Sequence, residues 1–352
     1  MYNLEINLIH HQYPIYIQNG LFENIGIEMK KRYSKKKITI LTDYHVEKIY
    51  GENLKNNLLK NDFLVKVISI PPGEKSKSID TLMSIYENLL DFQMTRDDVM
   101  IILGGGVVGD VGGFAAATFL RGISFIQIPT SLLAQIDSSI GGKVAVNLER
   151  GKNLIGSFYH PEAVFIDPEV LKTLDPRFFN DGMAEVIKYA CIKDKTLFYD
   201  LLEGTQQDLY KNLESIIYKC CTIKKEIVQR DEKDHGERML LNFGHTIGHA
   251  IEKYFDYTTY THGEGVAMGM AHITKRSEEL GITKMGTFGE LVKVLKKYDL
   301  PFEMPLMEKE NMIKHIGVDK KRKEKSIYII LLKEIGESFI QNIKEEEMHA
   351  YL

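Results

Sequence analysis

The sequence predicts two domains of different class: an α/β domain with a mostly parallel, Rossmann-like sheet over residues 1–176, and a mainly α-helical domain over 177–352. Two observations carry that prediction. Up to Asp167, short apolar runs rich in Ile, Val and Phe alternate with helical patterns, the signature of strands joined by crossover helices. Past Asp175-Pro176 the β-branched runs stop and helical periodicity takes over. The length agrees, because 352 residues suffice for two separate cores.

Taken in order, residues 2–8 and 13–18 read as short strands, with Asn19-Gly20 as a turn signal. A helix over 21–33 leads to an apolar strand over 37–43 that ends on a polar tip, Thr42-Asp43. Helix 46–60, strand 63–70, helix 78–92, strand 98–103 and helix 108–119 continue the alternation, and strands at 125–129 and 163–167 complete it. In the second domain the helical pattern covers 177–192, 195–203, 206–230, 243–255, 264–281, 286–298 and 308–316. Residues 325–340 read as a hairpin and 342–351 as a closing helix.

Composition excludes several classes of function. The chain is 44% apolar and 27% charged with a net charge of −4, so nothing draws it as a whole to nucleic acid, and an anionic ligand must be held by a local basic cluster. No run of about 18 apolar residues offers a membrane span, and the start, Met-Tyr-Asn-Leu-Glu-Ile, lacks the basic and apolar blocks of a secretory leader. Three cysteines, Cys191 and the adjacent Cys220-Cys221, make no disulfide framework and imply a reducing cytoplasm.

Ligands of a parallel sheet bind beyond the carboxyl ends of its strands. Those ends here are Thr42-Asp43, Pro71-Pro72-Gly73-Glu74, Gly104-Gly105-Gly106 and Pro129-Thr130-Ser131. Gly104, Gly106 and Gly109 match G-x-G-x-x-G, in which backbone amides at a helix start meet a pyrophosphate. The match falls on a late strand, and no acid follows about 20 residues on, so a tight strand-to-helix turn remains the alternative. Asp43 is the better ribose candidate, against a helix N-cap as its structural role. Glu74 and Lys77 sit in a charged loop. Gly141-Gly142 precedes Lys143, and Gly151 precedes Lys152-Asn153; a lysine beside flexible glycines suits a phosphate, and a long surface loop is the plainer reading.

The densest chemistry lies between Arg238 and Glu264. His245 and His249 are four apart and share a helix face. Thr246 stands where a metalloprotease helix carries its catalytic Glu, so the spacing keeps a metal site and discards protease chemistry. His245, His249 and His262 are flanked by Gly244, Gly248 and Gly263, so each can approach another backbone or a ligand, and Glu185 in Gly182-Met-Ala-Glu-Val-Ile-Lys188 is a fourth possible ligand. Spacing alone pairs His245 with His249.

Taken together, Pro-Pro-Gly-Glu-Lys-Ser-Lys77, Gly-Gly-Gly-Val-Val-Gly-Asp110, Pro-Thr-Ser-Leu-Leu-Ala-Gln-Ile-Asp-Ser-Ser-Ile-Gly-Gly-Lys143, Gly-Lys-Asn153, Gly-Met-Ala-Glu-Val-Ile-Lys188, Leu-Asn-Phe-Gly-His-Thr-Ile-Gly-His-Ala250 and His-Gly-Glu264 resemble the 3-dehydroquinate synthase family of sugar-phosphate cyclases, in the family's order. The resemblance implies a homodimeric enzyme with an NAD-binding N-terminal domain and a helical metal-binding domain. It implies conversion of 3-deoxy-D-arabino-heptulosonate 7-phosphate to 3-dehydroquinate and phosphate, with NAD⁺ and Zn²⁺ or Co²⁺. The implied sequence is oxidation of a hydroxyl, elimination of phosphate, return of the hydride, ring opening and intramolecular aldol closure.

Carried over motif by motif, the metal ligands are Glu185, His245 and His262, while His249 contacts substrate phosphate. Substrate also meets Asp137, Lys143, Asn153, Lys188, Lys224, Arg238 and Asn242, and Arg121 and Lys320 reach the phosphate, Arg121 from a second protomer. NAD lies against Asp43, then Pro72, Gly73, Glu74, Lys75, Ser76 and Lys77, then Gly106, Val107, Val108, Gly109 and Asp110. Further contacts come from Thr130, Ser131, Lys143 and Lys152, and from Val170, Leu171, Lys172 and Thr173. Two positions depart from the pattern: Phe178 stands where the family commonly has Glu, and His45 where it often has Asn. The alternatives are a related sugar-phosphate cyclase, a metal-dependent polyol or alcohol dehydrogenase, which would produce net NADH, and a non-catalytic NAD sensor.

Overall fold

The computed structural model describes residues 1–33, 36–307, 312, 316 and 326–352. The expected helix over 308–316, the start of the late hairpin at Lys325, and Lys320 fall wholly or mostly outside them. The chain forms two compact units: Met1–Leu174 with Ile217–Gln229, and Asp175–Ile216 with Arg230–Leu352.

The first unit opens with the hairpin β1 (Tyr2–Asn7) and β2 (Gln12–Ile17), followed by α1 (Ile25–Arg32) and β3 (Lys37–Asp43). The expected helix 46–60 starts earlier, as α2 (Tyr44–Val46), and runs through a π turn (Glu47–Gly51) into α3 (Glu52–Leu59). Next come β4 (Leu64–Ile70), α4 (Ile79–Asp91), β5 (Val99–Gly104), α5 (Gly106–Thr118) and β6 (Ser124–Pro129). A second hairpin, β7 (Lys143–Leu148) and β8 (Gly151–Phe158), precedes β9 (Ala163–Ile166).

The main sheet has the order β1-β2-β9-β6-β5-β3-β4, and every pairing except β1 with β2 is parallel. It bears out the α/β, mostly parallel class. All of Val99–Gly104 is buried because each face of β5 meets a different core. Met100 and Ile102 join Leu41, Leu82, Val111 and Phe125 on one side; Val99, Ile101 and Leu103 join Ile25, Ile40, Leu54 and Phe165 on the other. Two-sided burial is why these strands read as continuous apolar runs, and each buried Ile or Leu contributes about 1.5–3 kcal/mol.

The stretch Lys143–Phe158 corrects a sequence reading. It is a paired antiparallel hairpin, not a surface loop. Gly113 in α5 lets it seat, since a Cβ there would lie 2.3 Å from Val144 Cγ1.

The second unit is built around α6 (Pro176–Lys193), buried at every residue from Asp181 to Ile192. Asp175 caps it by accepting the Arg177 N–H at 2.8 Å, with Pro176 at the first helical position. Then follow α7 (Lys195–Glu203), α8 (Gln206–Arg230), α9 (His245–Tyr254), α10 (His262–Glu279) and α11 (Thr287–Lys297). Of α8, residues 217–229 count with the first unit. There Tyr218 stacks on Tyr2 with centroids 4.4 Å apart, and the Gln229 side chain accepts the Asn7 N–H at 2.9 Å.

The late hairpin is β10 (Ser326–Glu334) with β11 (Glu337–Lys344). It extends past the expected end at 340, and the expected helix 342–351 shrinks to a 3₁₀ stretch, Glu345–Tyr351. No described helix is long and apolar enough to cross a membrane.

Candidate active site

In the second unit, glycine sets the geometry. Helices α9 and α10 cross so closely that a Cβ on Gly269 would sit 2.1 Å from the Gly244 carbonyl oxygen, and one on Gly248 would sit 2.9 Å from the Gly265 backbone. Gly244, at φ +79°, starts α9 and places His245 at its first position. The start of α10 is fixed as firmly. Thr261 and Glu264 form a capping box, Arg177 grips the Glu264 carboxylate at 2.8 Å through two nitrogens, and the Gly263 N–H donates to buried Asp181. His262 therefore sits on the first turn of a helix, two residues before the expected helix start.

These crossings bring His245, His249 and His262 together, with one ring nitrogen of each within 4.8 Å of the others. Glu185 of α6, wholly buried, comes closer still: its Oε1 lies 3.4 Å from His245 Nε2 and 3.6 Å from His262 Nε2. Tetrahedral coordination with bonds of about 2.0–2.1 Å places donor atoms about 3.4 Å apart. Glu185, His245 and His262 are thus spaced as ligands of one small divalent ion. His249 shares the cluster, but its side chain is 59% exposed.

The charges fit the same reading. Burial holds His245 down to about 3, against the pull of Glu185, so it is neutral and able to ligate. Burial also disfavours charge on His262, but hydrogen bonds to Glu185 and Glu252 outweigh it and push the ring up to about 10. The His262 ring thus favours its protonated form between the Glu185 and Glu252 carboxylates. A divalent ion displaces such a proton and supplies its charge.

Lys188, 1% exposed, pairs with Glu185 one turn along α6. Arg238 is buried, donates from Nη1 to the Glu232 carbonyl at 2.6 Å, and has its own N–H bound by Asp231 at 3.0 Å. Asn242 is exposed just ahead of α9.

Glu252 escaped the motif reading. This acid, 3% exposed, lies 3.5 Å from His262 Nδ1 and 4.0 Å from His249 Nε2. The available signal was its place three residues after His249, on the same helix face.

In the first unit the cofactor candidates collect at the carboxyl ends of the parallel strands. Asp43 accepts the N–H groups of His45 at 2.8 Å and Val46 at 3.0 Å, so it does cap the following helix. Gly104 ends β5, the Thr130 N–H donates to its carbonyl at 3.0 Å, and α5 starts at Gly106 with no side-chain cap on Gly105. Val107, Val108, Gly109 and Asp110 form the first turns of α5. Ser131 accepts the Ala134 N–H at 3.3 Å.

The loop Pro72, Gly73, Glu74, Lys75, Ser76, Lys77 is tied to the hairpin. Asn147 donates from its side chain to Glu74 at 2.7 Å and from its backbone to the Lys77 carbonyl at 2.8 Å, and Lys152 stands 4.0 Å from Glu74. Lys77 pairs with Asp110, whose carboxyl is pushed up by burial against that attraction. Asn153, at φ +57°, donates its N–H to Asn147 at 2.9 Å. Val170, Leu171, Lys172 and Thr173 form a 3₁₀ turn on which the Tyr50 hydroxyl bonds the Val170 carbonyl at 3.0 Å and Thr173 at 2.7 Å.

Lys224 reaches Asp137 twice, pairing with its carboxylate and donating to its carbonyl at 2.5 Å. Lys143 is exposed at the start of β7. Arg121 is exposed on a turn where Leu120, Arg121 and Gly122 all have positive φ.

The models of the 3-dehydroquinate synthase N-terminal and C-terminal domains match residues 67–181 and 182–322. The 3-dehydroquinate synthase of Clostridium acetobutylicum is 55% identical over 353 residues, covering 100% of this chain and 99% of its own. Among solved structures, 2-epi-5-epi-valiolone synthase from Streptomyces hygroscopicus with NAD⁺ and Zn²⁺ bound superposes with a TM-score of 0.86 at 27% identity, over 98% of this chain and 97% of that one. A 2-deoxy-scyllo-inosose synthase in complex with carbaglucose-6-phosphate, NAD⁺ and Co²⁺ gives 0.85 at 25% identity, over 99% and 98%.

Proposed function

The chain belongs to the 3-dehydroquinate synthase family, and from that premise we propose that it converts 3-deoxy-D-arabino-heptulosonate 7-phosphate to 3-dehydroquinate and phosphate. The observation that carries the reading is the buried Glu185 carboxylate with two histidine nitrogens at 3.4 and 3.6 Å, in a chain 55% identical to a known synthase. When bound, NAD⁺ would supply a hydride acceptor, and a divalent ion, Zn²⁺ or Co²⁺, held by Glu185, His245 and His262 would supply a Lewis acid for the alcohol oxygen.

The residues divide the work by chemistry. Glu185, His245 and His262 hold the metal, and Glu252 orients His262 by accepting from Nδ1, which turns Nε2 toward Glu185. Lys188, paired with the Glu185 carboxylate, and Arg238, bonded to the Glu232 carbonyl, are buried cations held in place, so they present fixed charge to an anionic substrate. His249, exposed beside the ligands, takes the substrate phosphate. Asn242, Asp137, Lys143, Asn153 and Lys224 complete the substrate contacts, and Arg121 serves the phosphate across a homodimer. NAD⁺ occupies residues 1–176, against Asp43, the 72–77 loop and the start of α5; residues 177–352 carry the metal. The buried cysteines, none of them in a disulfide, suit a cytoplasmic enzyme.

The deciding assay measures phosphate release from the heptulosonate phosphate with NAD⁺ and Zn²⁺, with absorbance reporting NADH. Phosphate without net NADH is expected. Net NADH would overturn the reading in favour of a dehydrogenase. Turnover of glucose 6-phosphate alone would point to a related cyclase.

A further inference from the structure

Between Asp137 and Lys143, two groups assigned above to substrate are joined through the pair Gly141-Gly142. These glycines have φ of +93° and +67°, a path that side-chain-bearing residues follow only under strain. Two glycines have no side chains with which to hold themselves, and left alone they would let Lys143 swing. Contacts from within the same unit remove that freedom. Tyr13 of β2, fully buried, accepts the Gly141 N–H on its hydroxyl at 3.2 Å. The His160 ring covers Gly142 so closely that a Cβ there would lie 2.6 Å from its Cε1 and Nδ1. The Tyr159 N–H donates to the Gly142 carbonyl at 2.8 Å. The rings of Tyr13 and His160 are 5.7 Å apart, and His11 stacks on His160 at 5.8 Å while its Nε2 lies 3.0 Å from the Pro161 carbonyl.

We propose that Tyr13 and His160 are positioning residues for the reaction: together they clamp the Gly141-Gly142 turn, so that Lys143 is presented to substrate in one fixed arrangement. The inference rests on the assignment of Lys143 to substrate. Both aromatic side chains act through the two glycines that they touch. The benefit is preorganisation, because a charge that must be reoriented at each turnover loses much of its effect on the transition state. At the other end of the segment Lys224 fixes Asp137, so the glycine turn is the joint that needs the clamp.

The test is a double-mutant cycle in the full-length enzyme with NAD⁺ and Zn²⁺. Tyr13→Phe deletes one oxygen and keeps the ring. It is expected to lower kcat/KM for the heptulosonate phosphate about tenfold by taking one acceptor from the Gly141 N–H, with Zn²⁺ affinity unchanged and Tm lowered by only a few degrees, about 2–4 °C per kcal/mol. Combined with Lys143→Ala it adds no further loss, because both changes act on the same contact. His160→Phe, which still fills the space over Gly142, retains most of the activity, and His160→Ala does not.

Losses that multiply in the double variant, or a Tyr13→Phe enzyme within twofold of the parent beside a crippled Lys143→Ala, overturn the clamp. A silent Lys143→Ala overturns instead the assignment of Lys143. Loss of Zn²⁺ affinity in Tyr13→Phe in step with activity, or a Tm that falls to the assay temperature, makes Tyr13 a general structural residue and also overturns the clamp.

Discussion

At the scale of the residue, the metal assignment turns on Glu185 against His249. Both stand near His245 and His262, but one is wholly buried and the other exposed. If Glu185 ligates, Glu185→Ala lowers Zn²⁺ affinity by more than the about 10–100-fold that loss of a ligand's orienting partner costs. His249→Ala then keeps the metal while kcat/KM falls; calorimetric titration of metal-free protein with Zn²⁺ separates the two. The reverse pattern would make the three histidines the ligand set. Glu252→Ala falls between, weakening metal about 10–100-fold through His262.

A second residue sets a pH dependence. Burial acts to raise the Asp231 carboxyl, but the N–H groups of His235, Arg238 and Gly236 outweigh it and hold its pKa below the usual range. Its folded pKa lies below the unfolded value of about 3.9, so its stabilisation is complete above that value and is lost as pH falls through the folded one. Asp231→Asn should lower Tm near pH 7 and flatten the fall of Tm below about pH 4. An unchanged acid limb would show that the loop before Arg238 draws no strength from this carboxylate.

At the scale of the element, glycine is structural where helices cross. Gly269→Ala forces a Cβ against the Gly244 carbonyl, 2.1 Å away, and backbone cannot yield as a side chain can. Overpacking of this kind costs about 1–3 kcal/mol. The expected result is a lower Tm together with weaker metal binding, since Gly244 adjoins His245. Gly289→Ala in α11, with nothing within 4 Å, serves as the control and lowers neither.

The same elements show what was legible in the sequence. The strands of the main sheet are short β-branched runs ended by Gly, Pro or Asp, and those features are local. The hairpin Lys143–Phe158 was not legible. Its second strand holds Gly151 and Gly156, and apolar Leu154 and Ile155 are among its exposed residues, so neither alternation nor burial marks it as a strand. The histidine cluster could be read because His245 and His249 share a helix face and His262 follows within a short stretch, each beside a glycine. Which atoms meet depends on how α6, α9 and α10 pack, and no spacing within one helix encodes that: His245 and His249 are the pair by sequence, while Glu185 is the nearest neighbour in space.

At the scale of the whole molecule, the first unit is not a continuous stretch of chain. Residues 217–229 belong to it, and they bring Lys224 to Asp137 and the Cys221 thiol to the Gln135 carbonyl at 3.4 Å. A fragment ending at residue 176 holds the whole main sheet yet should be less stable than its sequence span suggests. Added as a separate peptide, 206–230 should raise its Tm; no change on addition would show that the helix contributes nothing to this unit. For synthesis on the ribosome, the order of manufacture and the order of assembly then disagree. The nascent sheet is complete in sequence by Leu174, but the lysine for Asp137 is translated only after Glu185 and the rest of α6 have been made. The growing chain must wait with an unfinished surface, and that interval is where a chaperone, or a misfolding mutation anywhere in 175–216, would act.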